Sequence, residues 1–113
     1  MFVAIVLKGY PAGESRQAAN ESVHRTSNEL VEAGMSASDG WVDCECECHR
    51  PQCGSNFHVT VTDYEGVRAD GRHFLVTPGH QHPDEIVVRA AATFLVIEKQ
   101  GEQGRIADVL DPR

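Results

Sequence analysis

The chain has 113 residues, 41% of them hydrophobic and 24% charged, and a net charge of −7. That size and balance suit one soluble domain with a modest core. The ten basic residues are scattered, which speaks against nucleic acid and against anionic membrane surfaces as partners.

No stretch approaches the roughly 20 apolar residues of a spanning helix. Met1-Phe-Val-Ala-Ile-Val-Leu7 is apolar but short, has no basic region ahead of it and runs into Lys8-Gly-Tyr-Pro11. A signal peptide is therefore not expected. Residues 1–12 read as an extended or disordered N-terminus, and residues 13–113 as a single α+β domain. Without a secretory signal the expected compartment is the cytoplasm, where thiols stay reduced and favour metal over disulfides.

Residues 14–33 read as a helix, since Ala19, Val23, Thr26, Leu30 and Ala33 recur at helical spacing. Two alanines and a threonine make this a thin stripe. It is expected to pack on the chain's own sheet, with a homodimer through the same stripe as the alternative. Gly34 is expected to end the helix in the left-handed conformation. Residues 35–40 are small and polar, hence a linker.

Residues 41–48 alternate. Val42, Cys44, Cys46 and Cys48 fall on one side of an extended strand, and Asp43, Glu45 and Glu47 on the other. A loop with Pro51 and Gly54 follows. Phe57, Val59 and Val61 mark a second strand, and a short helix is expected over residues 62–69. Thr60 with Asp63 and Thr62 with Glu65 both fit a capping box at its start. Residues 73–77 form a third strand, followed by a rigid turn through Pro78, Gly79, His80, His82 and Pro83. Two β-branched runs, 85–89 and 93–99, predict a hairpin. Residues 101–110 predict a C-terminal helix, weakened by Gly104. The fold class is α+β: an N-terminal helix, a small antiparallel sheet carrying a zinc knuckle, and short middle and C-terminal helices.

The chain's four cysteines all lie within ten positions, at Cys44, Cys46, Cys48 and Cys53. Zinc takes four soft or borderline donors in a tetrahedron, with sulfur at about 2.3 Å and nitrogen at about 2.0 Å. Cys46 and Cys48 share a strand face, and Cys53 can fold back past Pro51. His80 follows Pro78-Gly79, a tight turn that exposes its imidazole, with His82 as the local competitor. An all-cysteine site is the other arrangement, but three consecutive alternate thiols around one ion would bend the strand sharply. The favoured set is Cys46, Cys48, Cys53 and His80, with Cys44 a free buried thiol. His24, His49, His58 and His73 read as solvated or hydrogen-bonded.

The chain also resembles a family of short bacterial proteins with no established activity. The stretches that carry the likeness are Asn20-Glu21 and Asn28-Glu29, the C-E-C-x4-C run from Cys46 to Cys53 and the helix from Thr60 to Arg68. Phe74-Leu-Val-Thr-Pro-Gly-His80, Val96-Ile-Glu-Lys99 and Asp111-Pro-Arg113 complete it. Together they span about residues 16–113. The resemblance implies that Cys46, Cys48, Cys53 and His80 are the shared site positions. Cys44 stands where the family usually carries an apolar residue, and His82 falls outside the pattern. It implies a zinc and no reaction.

Three functions fit these features. The first is a structural-zinc module that binds a protein partner or acts as an accessory regulator. The second is a thiol or zinc redox sensor using Cys44, although the neighbouring acids would slow it. The third is a zinc hydrolase with Glu45, Glu47, His82, Asp84 or Glu85 as base, although no H-E-x-x-H motif is present.

Overall fold

The computed structural model describes residues 12–34, 40–50 and 53–113. The expectation for the first dozen residues lies outside these, except at Ala12, which opens a helix; the expected linker also lies outside except for Gly40. The elements are α1 (Ala12–Ala33), β1 (Trp41–Glu45), β2 (Asn56–Thr60), α2 (Val61–Arg68), β3 (His73–Val76), β4 (Ile86–Ala90), β5 (Leu95–Glu98) and α3 (Gly101–Val109). The fold is α+β, with two small antiparallel sheets where one was expected. β1 pairs with β2, and a second sheet has the order β3-β5-β4.

The hairpin of β1 and β2 buries Val42, Cys44, Phe57 and Val59, one face of each alternating strand. Thr60 ends β2 and caps α2 by accepting from the Asp63 amide at 3.1 Å, so the earlier of the two capping boxes is the one used. Val61 consequently opens the helix and does not continue the strand. In the second sheet, β3 and β5 are buried on both faces, because α2 packs on β3 while the polar face of α1 lies over Phe74.

The chain itself joins the two sheets. β1 stops at Glu45, and the Cys46 amide still donates to Ser55 O at 2.9 Å. The next amide, Glu47, turns to Leu75 O on β3 at 2.7 Å. The strand expected through Cys48 therefore ends three residues early, and Glu47 is not on a solvated acid face. It is buried, accepting from the Leu75 amide at 2.9 Å and from Asn28 Nδ2 at 2.7 Å.

The first helix is oriented opposite to expectation. Val23 is 60% exposed and Leu30 71%, and Thr26 and Ala33 are also exposed. The buried face carries Glu21, Ser22, His24, Arg25 and Asn28. Distant groups compensate each of the charged members. Lys99 pairs with both Glu21 and Glu85. Arg25 donates to Gly71 O at 2.6 Å and Ala107 O at 2.8 Å, with its guanidinium 4.3 Å from the centre of the Phe74 ring. Ion pairing of Lys99 and carbonyl hydrogen bonds to Arg25 offset the cost of burying these charges. Gly34 does not adopt the left-handed conformation; its amide bonds back to Leu30 O and Val31 O at 3.2 Å.

Candidate metal centre

The knuckle and the turn after β3 meet at the end of the molecule where the two sheets join. Cys46 and Cys48 are buried, and Cys53 and His80 are half-buried. One donor atom from each lies within 4.8 Å of every other. His80 Nδ1 is 3.6 Å from Cys46 Sγ and 3.4 Å from Cys53 Sγ. A tetrahedron with zinc-like bond lengths has sulfur–nitrogen edges of about 3.6 Å. Three soft sulfurs and one imidazole gathered within 4.8 Å are a donor set that can hold a metal ion.

Local sequence explains how each donor arrives. Gly79 has φ of +93° and follows Pro78, and the His80 amide returns to Thr77 O at 2.9 Å. This is a turn that favours proline first and requires a positive-φ residue such as glycine second, and it delivers His80 from the end of β3. The Cys53 amide closes on Arg50 O at 3.3 Å and folds the loop back. The Thr77 amide donates to Cys46 Sγ at 3.2 Å, the kind of outer contact that orients a metal-binding thiolate.

Burial pushes the Cys46 thiol up and the Cys48 thiol up to about 12, the latter with the neighbouring Cys46 adding to it. A lone thiolate in either position is thus costly, and a cation is its natural compensation. Burial also acts upward on Cys53, but hydrogen bonds from Ser55 and from the Cys48 thiol outweigh it and leave that thiol below its ordinary value.

α1 grips the knuckle from outside. Asn20 Nδ2 donates to His49 O at 2.9 Å, and His24 Nε2 lies 2.9 Å from Arg50 O while its Nδ1 pairs with Glu45. Asn28 donates to Glu45 O at 2.9 Å and accepts from the Glu45 amide at 2.8 Å. These supports were missed by periodicity because they are polar residues whose partners lie far along the chain. The repeated Asn-Glu pairs were the one signal that could have found them.

The other candidates separate cleanly. Cys44 is fully buried among core side chains and is not among the gathered donors. His82 is not among the gathered donors either; its ring meets that of His49 edge-on at 6.1 Å. His58 is exposed, while His24 and His73 are hydrogen-bonded. Asp70, His73 and Glu98 also bring donor atoms within 4.8 Å. That group is a surface histidine with its Nε2 3.0 Å from Glu98 and 3.7 Å from Asp70. Among the described residues, no helix is long and apolar enough to cross a membrane. Comparison with protein-family models, curated proteins and solved structures gave no match.

Proposed function

We propose that Cys46, Cys48, Cys53 and His80 hold one structural zinc, and that the domain serves as a protein-interaction or accessory regulatory module in a reducing, cytoplasmic setting. The observation that supports this is the four-donor cluster, in which the two sulfur–nitrogen distances from His80 to Cys46 and Cys53 match a zinc tetrahedron. Four protein donors close a zinc coordination sphere, which is the pattern of structural sites. Bound there, zinc would supply cross-linking of the knuckle to the β3–β4 turn.

The alternatives draw less support. A sensor built on Cys44 needs a reachable, reactive thiol. Burial, and then Glu47, Asp43 and Glu45, push that thiol far above its ordinary value. A hydrolase needs a free carboxylate or imidazole beside an open ligand position. Glu47 is committed to Asn28 and Leu75, and Glu85 to Lys99.

Elemental analysis of untagged protein, purified under reducing conditions and paired with a thiol count, tests the reading. One zinc per chain is expected, with Cys44 unreactive until unfolding and then titrating as a free thiol. Cys53→Ser and His80→Ala should each lower the zinc content. Full zinc in both variants, or a metal-free native protein, would overturn the assignment.

A further inference from the structure

At the opposite end of β3 from the turn that carries His80, a second group of donors is gathered outside the metal centre. Asp70, His73 and Glu98 each bring one donor atom within 4.8 Å of the other two. The backbone fixes where all three start. His73 and Glu98 are directly opposite in the antiparallel pairing of β3 with β5, so their side chains lie on the same face of the sheet. Asp70 is brought alongside by a tight turn, which the His73 amide closes on Asp70 O at 3.0 Å.

Each carboxylate anchors itself with one oxygen and turns the other inward. Asp70 Oδ1 accepts from the Arg72 amide at 2.9 Å, and its Oδ2 lies 3.7 Å from His73 Nε2. Glu98 Oε2 accepts from Gln100 Nε2 at 3.0 Å, and its Oε1 lies 3.0 Å from the same His73 nitrogen. Outer bonds of that kind orient carboxylates as ligands. The Gln100 bond, and then His73, hold the Glu98 carboxyl below its ordinary value, while the nearby charge of Asp70 acts the other way. The neighbouring Arg72 guanidinium is turned to Asp108 on α3 at 3.0 Å, which leaves the two acids facing one imidazole. A divalent ion with bonds of about 2.1 Å sets adjacent donors about 3.0 Å apart and opposite ones about 4.2 Å apart. The three donors reach that spacing with small side-chain adjustments. Two carboxylate oxygens and one imidazole suit harder cations than a sulfur-rich knuckle does.

We propose that Asp70, His73 and Glu98 form a second, exchangeable site for a divalent first-row transition cation, with water in its remaining positions. It shares no residue with the Cys46, Cys48, Cys53 and His80 cluster, and the two assignments can fail separately. Three protein donors on partly exposed side chains make it the weaker of the two.

Mn²⁺ is the probe, because it prefers oxygen and nitrogen donors and leaves the sulfur cluster alone. The full chain, purified under reducing conditions, is titrated while the electron paramagnetic resonance signal of free Mn²⁺ is followed. Salt at about 0.15 M screens diffuse attraction to the chain's charge. One saturable site per chain is expected. Asp70→Asn keeps the turn bond through its amide oxygen, and His73→Ala removes the imidazole. Each should raise the dissociation constant at least about tenfold with unchanged circular dichroism, since losing even an outer contact costs about that much. Asp70→Asn, on the exposed turn, decides alone should His73→Ala disturb the fold. His58→Ala removes a well-exposed histidine 3.6 Å from Asp43 and should change nothing. Absence of saturable Mn²⁺ binding overturns the proposal and leaves a histidine hydrogen-bonded between two acids. So does binding that survives Asp70→Asn and His73→Ala, or that His58→Ala weakens as much as they do.

Discussion

Gly104 and Gly66 both sit inside short helices, and the space around each sets opposite expectations. A Cβ on Gly104 would lie 2.8 Å from Lys99 O and 3.3 Å from Arg72 Cδ. The first neighbour is backbone and cannot swing aside. Gly104→Ala is therefore expected to cost about 1–3 kcal/mol through overpacking. Around Gly66 nothing approaches a built Cβ within 4 Å. Gly66→Ala should gain about 0.5–1 kcal/mol from helix propensity alone. Urea midpoints of the two variants against the native chain decide this, and equal effects would show that the approach at Gly104 relaxes freely. In the sequence Gly104 reads only as a helix weakener. The difference between them is a close approach between α3 and the residue before its cap, which no local pattern records. The metal donors are the opposite case. Cys46, Cys48 and Cys53 lie within eight positions, and Pro78-Gly79 fixes the turn before His80, so their meeting was legible from spacing and soft-donor chemistry.

For whole elements, periodicity located the helices and strands well and misjudged one interface. Apolar spacing reports transfer energy, and it put Val23, Thr26 and Leu30 inward on α1. The real inner face holds Glu21, Arg25 and Asn28, and its stabilising partners are Glu45 on β1, Glu47 just after it, Phe74 on β3, Lys99 just after β5 and Ala107 on α3. Nothing local in sequence announces a partner 78 positions away, as Lys99 is from Glu21. Asn28 tests this interface, since it alone satisfies both backbone groups of Glu45 and one oxygen of Glu47. Asn28→Ala would leave buried groups unpaired, at about 1–3 kcal/mol for such a loss, whereas Leu30→Ala on the exposed face should fall within about 0.5 kcal/mol of the native chain. The C-terminal segment makes a second link between elements. Arg113 binds Glu29 on α1 at 2.6 Å and Glu65 on α2 at 2.7 Å. The Arg113 hydrogen bond comes first in holding Glu65 down to about 2. On Glu29 burial acts upward, but bonds from Arg113 and Tyr64 prevail and its carboxyl is also lowered. A carboxyl lowered in the folded state stabilises above its unfolded pKa of about 4.3, and that contribution fades as pH falls through the folded value. Glu32 opposes this weakly, being pushed up by its hydrogen bond to Glu65. The native chain should thus lose stability between roughly pH 4 and pH 2 more steeply than Arg113→Ala. Chemical denaturation at stepped pH checks it. Comparing the two proteins cancels acid effects on the thiolates, and parallel curves would mean that the link contributes nothing.

At the scale of the whole molecule, among the described residues the two sheets share no strand pairing. They are joined by the Glu47 amide on Leu75 O, by the Leu75 amide on the Glu47 carboxylate and by the gathered donors. α1 lies across that junction and holds the knuckle through Asn20, His24 and Asn28. Among the described residues the apolar core is built from aliphatic side chains and Cys44, Cys46 and Cys48, with Phe57, Tyr64, Phe74 and Phe94 as its aromatic rings. A domain of this kind has about 5–15 kcal/mol of net stability, and a structural zinc contributes about 10–16 kcal/mol of apparent binding energy. The second figure is as large as the first, so the ion would not be an accessory to an otherwise complete fold. Chelation is accordingly expected to abolish the cooperative thermal transition and not merely to lower its midpoint. Readdition of zinc should restore it, with a midpoint that climbs with free zinc by mass action. Loss of metal should also free the far side of the knuckle, because three of the residues that α1 grips or flanks there precede a donor or follow one directly. Amide exchange should therefore rise in α1 as well as at Cys46, Cys53 and His80. Calorimetry with and without chelator, read beside exchange protection, gives the answer. A metal-free chain that still melts cooperatively with α1 protected would show that the buried polar face of α1 carries the junction by itself.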